Sequence, residues 1–134
     1  MYLKDLTEEQ KSLALDVLIG VANANHYMED SEKAKIEGYC QEMGLAPRYT
    51  AELAPESAEQ KFLSISNRTD CRKLLVEVTA MAIADNTFDD LERAYVKNFL
   101  KAAEITKTEF SIIYDYLAKI NELKEKLHIM VYNS

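Results

Sequence analysis

The sequence predicts an all-α protein: duplicated helix–turn–helix units in a compact helical bundle, with a final long helix over their shared core. Three observations lead there. The 134 residues include only three glycines and two prolines, too few punctuators for a sheet with many turns. Apolar residues recur at helical spacing through most of the chain. The stretch Ala82 to Leu100, AIADNTFDDLERAYVKNFL, also has a weaker copy 60 positions earlier, ANANHYMEDSEKAKIEGYC at Ala22 to Cys40.

The register of the copy needs no gap. Leu15 falls on Leu75, Leu18 on Val78, Met28 on Phe88, Tyr39 on Phe99 and Leu45 on Ile105. The turn acids fall into line as well: Glu29 on Asp89, Asp30 on Asp90 and Glu32 on Glu92. Two amphipathic helices match by chance at apolar positions far more readily than at turn acids too. The repeat covers about 13–45 and 73–105. A solenoid needs at least ~3 units, so two copies predict one compact domain over residues 1–134.

Each element has its own signals. Thr7 to Gln10 reads as a capping box opening a helix to about Asn25, with Leu13, Val17, Val21 and Ala24 on one face. Asp30 or Ser31 caps the next helix, whose inner face is Ile36, Tyr39, Cys40 and Met43, and Gly44 ends it. Pro47 and Pro55 each suit a first helical turn, which predicts short helices near 48–54 and 56–66. Thr69 or Asp70 caps a third long helix with Leu74, Leu75, Val78, Met81 and Ala82. A fourth carries Leu91, Tyr95, Val96, Phe99, Leu100 and Ala103. Thr106 to Glu109 forms a second box. It opens a helix to about Lys126, with Phe110, Ile113, Tyr114, Leu117, Ile120 and Leu127 as its stripe. The tail from His128 to Ser134 is apolar for its length. It is expected to pack, on its own bundle or across a dimer contact.

Composition narrows the function classes. Hydrophobic residues are 48% and charged residues 29%, the balance of an ordinary globular chain. A net charge of −7 argues against nucleic acid and against an anionic membrane surface as partners. The first ten residues lack the apolar core of a secretory signal, and no run approaches the ~18 apolar residues of a spanning helix. A cytoplasmic protein is expected, with Cys40 and Cys71 as reduced core thiols. The partner implied is another protein, and the oligomeric state a monomer or weak homodimer.

No catalytic pattern occurs: no HExxH, no GxSxG, no glycine-rich phosphate loop, and no nucleophile at a recognised spacing from His26 or His128. A non-enzymatic role is expected. The acids of the second turn carry the remaining chemistry. Asp89, Asp90 and Glu92 suit a helix start, where unpaired N–H groups and the macrodipole favour negative charge by roughly 0.3–1 kcal/mol each. Asp85 does not fit that account, because it stands where the preceding helix should end, beside unpaired carbonyls. A hard cation, Ca²⁺ or Mg²⁺, between Asp85, those carbonyls and Asp89, Asp90 and Glu92 would reverse the sign. The turn is not an EF-hand: counting from Asp85, position 6 is Asp90 and position 12 is Val96. Glu29, Asp30 and Glu32 would form a weaker second site, since Asn25 replaces the telling aspartate. His26 is expected to be an exposed turn residue, because hard cations prefer oxygen.

Ala84-Asp85-Asn86-Thr87-Phe88, with Glu92 four residues on and Val96 and Phe99 beyond, resembles the motif of the TerB-like domains of the tellurite-resistance family. That motif is Ala-Asp-Gly, a variable residue, a hydrophobic one, and a glutamate four on. The resemblance implies an all-helical duplicated fold in a bacterial cytoplasmic protein, with turn acids that bind a metal ion and a role in stress. Asp85 and Glu92 carry over on the motif. Asn86 stands in place of its glycine, and in the first copy Asn25 and His26 replace both Asp and Gly. Tellurite resistance itself is not implied.

Overall fold

The computed structural model describes residues 1–23, 28–84 and 90–133, with side chains at all of these except 82, 84 and 90–95. Among the described residues it is all-helical. A short 3₁₀ turn at Leu3–Asp5 precedes α1 (Glu8–Ala22), α2 (Asp30–Met43), α3 (Pro55–Ser64), α4 (Arg68–Ala84), α5 (Asp90–Ala102) and α6 (Lys107–Tyr132). None of these helices is long and apolar enough to cross a membrane.

The core is built around α1. Its sequence LALDVLIGVA is apolar on every side, and every residue from Leu13 to Ile19 is buried. A helix of that kind must be enclosed. The single face expected from Leu13, Val17 and Val21 is therefore only part of what α1 buries. Against it lie Ile36, Cys40 and Met43 of α2, Phe62 of α3, and Leu74, Leu75, Val78 and Met81 of α4. Val96, Phe99 and Leu100 of α5 join the same core. Closest to α1 is α3. Gly20 permits this, since a Cβ there would meet Pro55 Cγ at 2.6 Å. Similarly α4 packs most closely with α6.

The helix ends repeat. Thr7 and Gln10 form the capping box of α1: the Thr7 hydroxyl accepts the Gln10 backbone N–H at 3.2 Å, and the Gln10 side-chain Oε1 accepts the Thr7 N–H at 2.9 Å. Asn67 and Asp70 do the same for α4, at 2.8 and 3.2 Å. The cap of α4 is thus Asn67, not Thr69 or Asp70. The side-chain amide of Gln10 also donates to the Asp70 carboxylate at 3.0 Å, so the two boxes touch. At the other end, Gly44 closes α2 with φ 70°, and Glu104 follows α5 with φ 56°. The Leu45 N–H donates to the Cys40 carbonyl at 2.9 Å, and the Ile105 N–H to the Leu100 carbonyl at 3.0 Å. Both are the wide bond of a Schellman close.

Three further expectations differ from the structure. No helix forms over 48–54. The buried Asp16 carboxylate accepts the N–H groups of Glu52 at 3.0 Å and Leu53 at 3.3 Å, which a helix would have turned to its own carbonyls. Arg48 completes the knot, donating to Asp16 at 2.6 Å and to the carbonyls of Ser12 and Thr50. Second, Glu29 caps α2, where Asp30 or Ser31 was expected. Third, α6 does not stop near Lys126 but continues to Tyr132, and Ile129 to Tyr132 are exposed. The tail does not pack on its own bundle.

The start of α6 is tied to the start of α4. The Thr106 hydroxyl accepts the Glu109 N–H at 3.1 Å. The Glu109 carboxylate does not turn back to complete a box. It accepts from Arg68 and, at 3.1 Å, from Arg72, both on α4.

Candidate functional site

Of the acids expected to hold a metal at the second turn, Asp85 and Asp89 lie outside the described residues. Asp90 is the first residue of α5 and Glu92 lies in its first turn; their side chains are not among those described. The first turn is described on its α2 side. Glu29 is the extended N-cap, with Asp30 and Glu32 in the first turn behind it. The Glu32 carboxylate points back and accepts the Glu29 N–H at 3.2 Å, one half of a capping box. Glu32 is buried, whereas Glu29 and Asp30 face solvent. Among the described residues no three His, Cys, Asp or Glu side chains come together as a metal would need. His26 lies outside the described residues.

Both thiols are free and buried, as expected of core cysteines. Burial pushes the Cys71 thiol pKa up, and the neighbouring Asp70 carboxylate adds to the rise. The uncharged thiol is favoured, which suits packing and not nucleophilic attack.

Two surface features involve α6. Between α5 and α6 runs a groove of ≈ 850 Å³. Its floor is Val96, Leu100, Ile105 and Phe110, and Lys97, Lys101 and Lys107 stand at its edge. Val96, Leu100 and Ile105 are buried at its base, and Phe110 is half-buried.

The second feature is larger in consequence. α6 packs on the body through Phe110, Ile113, Tyr114, Leu117 and Asn121, and no later residue of the helix is even half-buried. Lys124 still borders a cleft of ≈ 250 Å³ with Met1, Tyr39 and Glu77, and the residues after it on the helix are exposed. Large apolar side chains nevertheless continue along it. Tyr116 is 64% exposed, Ile120 40%, Leu123 63%, Leu127 61% and Met130 75%. With Ile113 they follow one another at steps of 3, 4, 3, 4 and 3 residues. That alternation keeps them on one side of the helix, centred about a third of a turn from the side that packs on α4, with Ile113 and Ile120 at the border of the two.

The stripe expected from the sequence, Phe110 to Leu127, joins residues of both sides: Ile120 borders α4, whereas Leu127 lies on the outer side with Tyr116, Leu123 and Met130. The 3–4 spacing does not say which of two neighbouring stripes meets the body. No family model, curated protein or solved structure matches this chain.

Proposed function

We propose that this chain is a non-enzymatic helical interaction module, whose body orders α6 and presents the outer stripe of that helix to a protein partner. The observation that carries the reading is the exposed apolar line Tyr116, Ile120, Leu123, Leu127 and Met130. A free helix of three turns is marginal in water, and apolar side chains on it gain nothing until something covers them. In this reading the acids of the turns act as caps, and the capping role of Glu32 supports it.

The test is a photo-crosslinking side chain placed at Leu127, with Glu125 on another face as control, in the cell that makes the protein. Adducts at Leu127 alone, with the partner identified by mass spectrometry, are expected. Equal labelling at both positions, or none, overturns the reading.

The body that holds α6 is a duplicated unit in this proposal, of TerB-like kind. Support comes from features recurring 60 residues apart: capping boxes at Thr7 and Asn67, helix starts at Asp30 and Asp90, left-handed residues at Gly44 and Glu104. A divalent-metal function at the second turn is the other reading, and the position of Asp85 favours it. Asp85→Asn should then abolish a Ca²⁺- or Mg²⁺-induced rise in melting temperature while leaving the apo protein no less stable. No rise in the wild type at millimolar cation removes the metal from the account.

A further inference from the structure

Resting on the reading of α6 as a docking helix, we infer that its partner is an amphipathic helix with acidic flanks, taken up as a short coiled coil, and not a second copy of this chain. The spacing supplies the geometry. Ile113, Ile120 and Leu127 occupy the first core position of successive heptads, and Tyr116, Leu123 and Met130 the fourth. Over Tyr116 to Leu127 the stripe is only one residue wide, because its solvent-side neighbours are polar or charged. A seam that narrow fits a facing helix. A helix that lies in a membrane surface carries a broad apolar face instead.

The flanks supply the partner's chemistry. Lys119 and Lys126 border the seam on one side and Lys124 on the other. No acid stands at a flanking position: Asp115, Glu122 and Glu125 all lie further round the helix. Lys126 reaches Glu122 at 3.0 Å, but that pair is exposed on both sides and readily exchanged. In a parallel pair of identical helices Lys119 would face Lys124 of the other copy. In an antiparallel pair lysine would face lysine on both flanks. Like charges disfavour both arrangements, whereas glutamate or aspartate on the facing helix would pair with all three lysines. The chain as a whole carries −7, so an anionic bilayer would attract this edge and repel the rest.

The seam spans two and a half heptads, short for a free-standing coiled coil. Its first half is already held straight by α4. The ordering cost is therefore lower than for two free peptides.

Two synthetic four-heptad peptides serve as probes, both with Ile and Leu at the core positions. One carries Glu at every flanking position and the other Lys, so that each is kept from pairing with itself. Binding to the full chain is followed by fluorescence anisotropy. The acidic peptide should bind at least tenfold tighter than the basic one and weaken as salt is raised. Lys119→Glu, Lys124→Glu and Lys126→Glu together should invert the preference. Leu123→Asp with Leu127→Asp should abolish binding without changing the helical circular dichroism signal or melting temperature.

Equal binding of the two peptides overturns the charge selection. Binding of neither, with crosslinked adducts at Leu127 still forming in cells, overturns the inference while the docking reading stands. Loss of the adducts as well removes both. Sedimentation as a dimer that Leu123→Asp with Leu127→Asp breaks assigns the seam to a second copy and overturns the inference. Flotation with phosphatidylserine vesicles in place of peptide binding assigns it to a membrane and does the same.

Discussion

Asp16 shows how much one residue can decide. It stands at 1% exposure inside the most apolar helix of the chain, where an unpaired carboxylate would be prohibitive. Arg48 and two backbone N–H groups satisfy it, and in doing so they hold residues 48–53 in an irregular path against α1. Replacing Asp16 with Ala leaves the N–H groups of Glu52 and Leu53 without their acceptor and takes from Arg48 its buried carboxylate, though not its bonds to the Ser12 and Thr50 carbonyls. Breaking a buried pair costs about 3–5 kcal/mol; because Arg48 is partly exposed, the lower end, about 3 kcal/mol, is expected. A urea denaturation midpoint measures it, and a loss below about 1 kcal/mol would show that the knot is dispensable. An acid in the middle of an apolar run is visible in the sequence as an anomaly. Its partner, 32 residues on, is not.

Among the elements, α2 and α5 end in the same way with different residues. Gly44 accepts a φ of 70° without strain, whereas Glu104 at 56° carries the penalty of a Cβ in the left-handed region. Glu104→Gly should therefore stabilise the protein by about 1 kcal/mol, and Gly44→Ala should destabilise it by a similar amount. Thermal or chemical melts of the two variants should move in opposite directions. Movement in the same direction would mean that the caps differ in something besides backbone conformation. α6 is the element where periodicity alone misled. It carries two apolar stripes, one facing α4 and one facing solvent, and hydrophobic spacing does not label them. The same ambiguity covers its last two turns. Apolar composition predicts burial against something, without naming it.

At the scale of the molecule, the amino group of Met1 closes the bundle. It lies 2.7 Å from the Glu42 carboxylate on α2 and 2.6 Å from that of Glu77 on α4. Burial works against the charged amine, but the two carboxylates outweigh it and its pKa is raised above 8.0. A raised pKa stabilises the folded state fully below the unfolded value near 8.0, and that contribution fades as pH rises through the folded value. Melting temperature should therefore fall above pH 8 more steeply for the free amine than for the N-terminally acetylated chain. Parallel pH profiles would show that the amine contributes nothing.

The long helices, the free buried thiols and the caps at Thr7, Gly44 and Thr106 are legible in the sequence because they are local: a cap is settled within four residues, and a helix by its own spacing. The sequence also sets the two acidic turns 60 residues apart. Contacts between distant segments settle the rest: residues 48–53 serve Asp16 instead of forming a helix, and the outer stripe of α6 is left bare. Each of these depends on which surfaces meet across long stretches of chain. An apolar stripe states that it must be covered; the rest of the fold determines whether the chain itself supplies the cover.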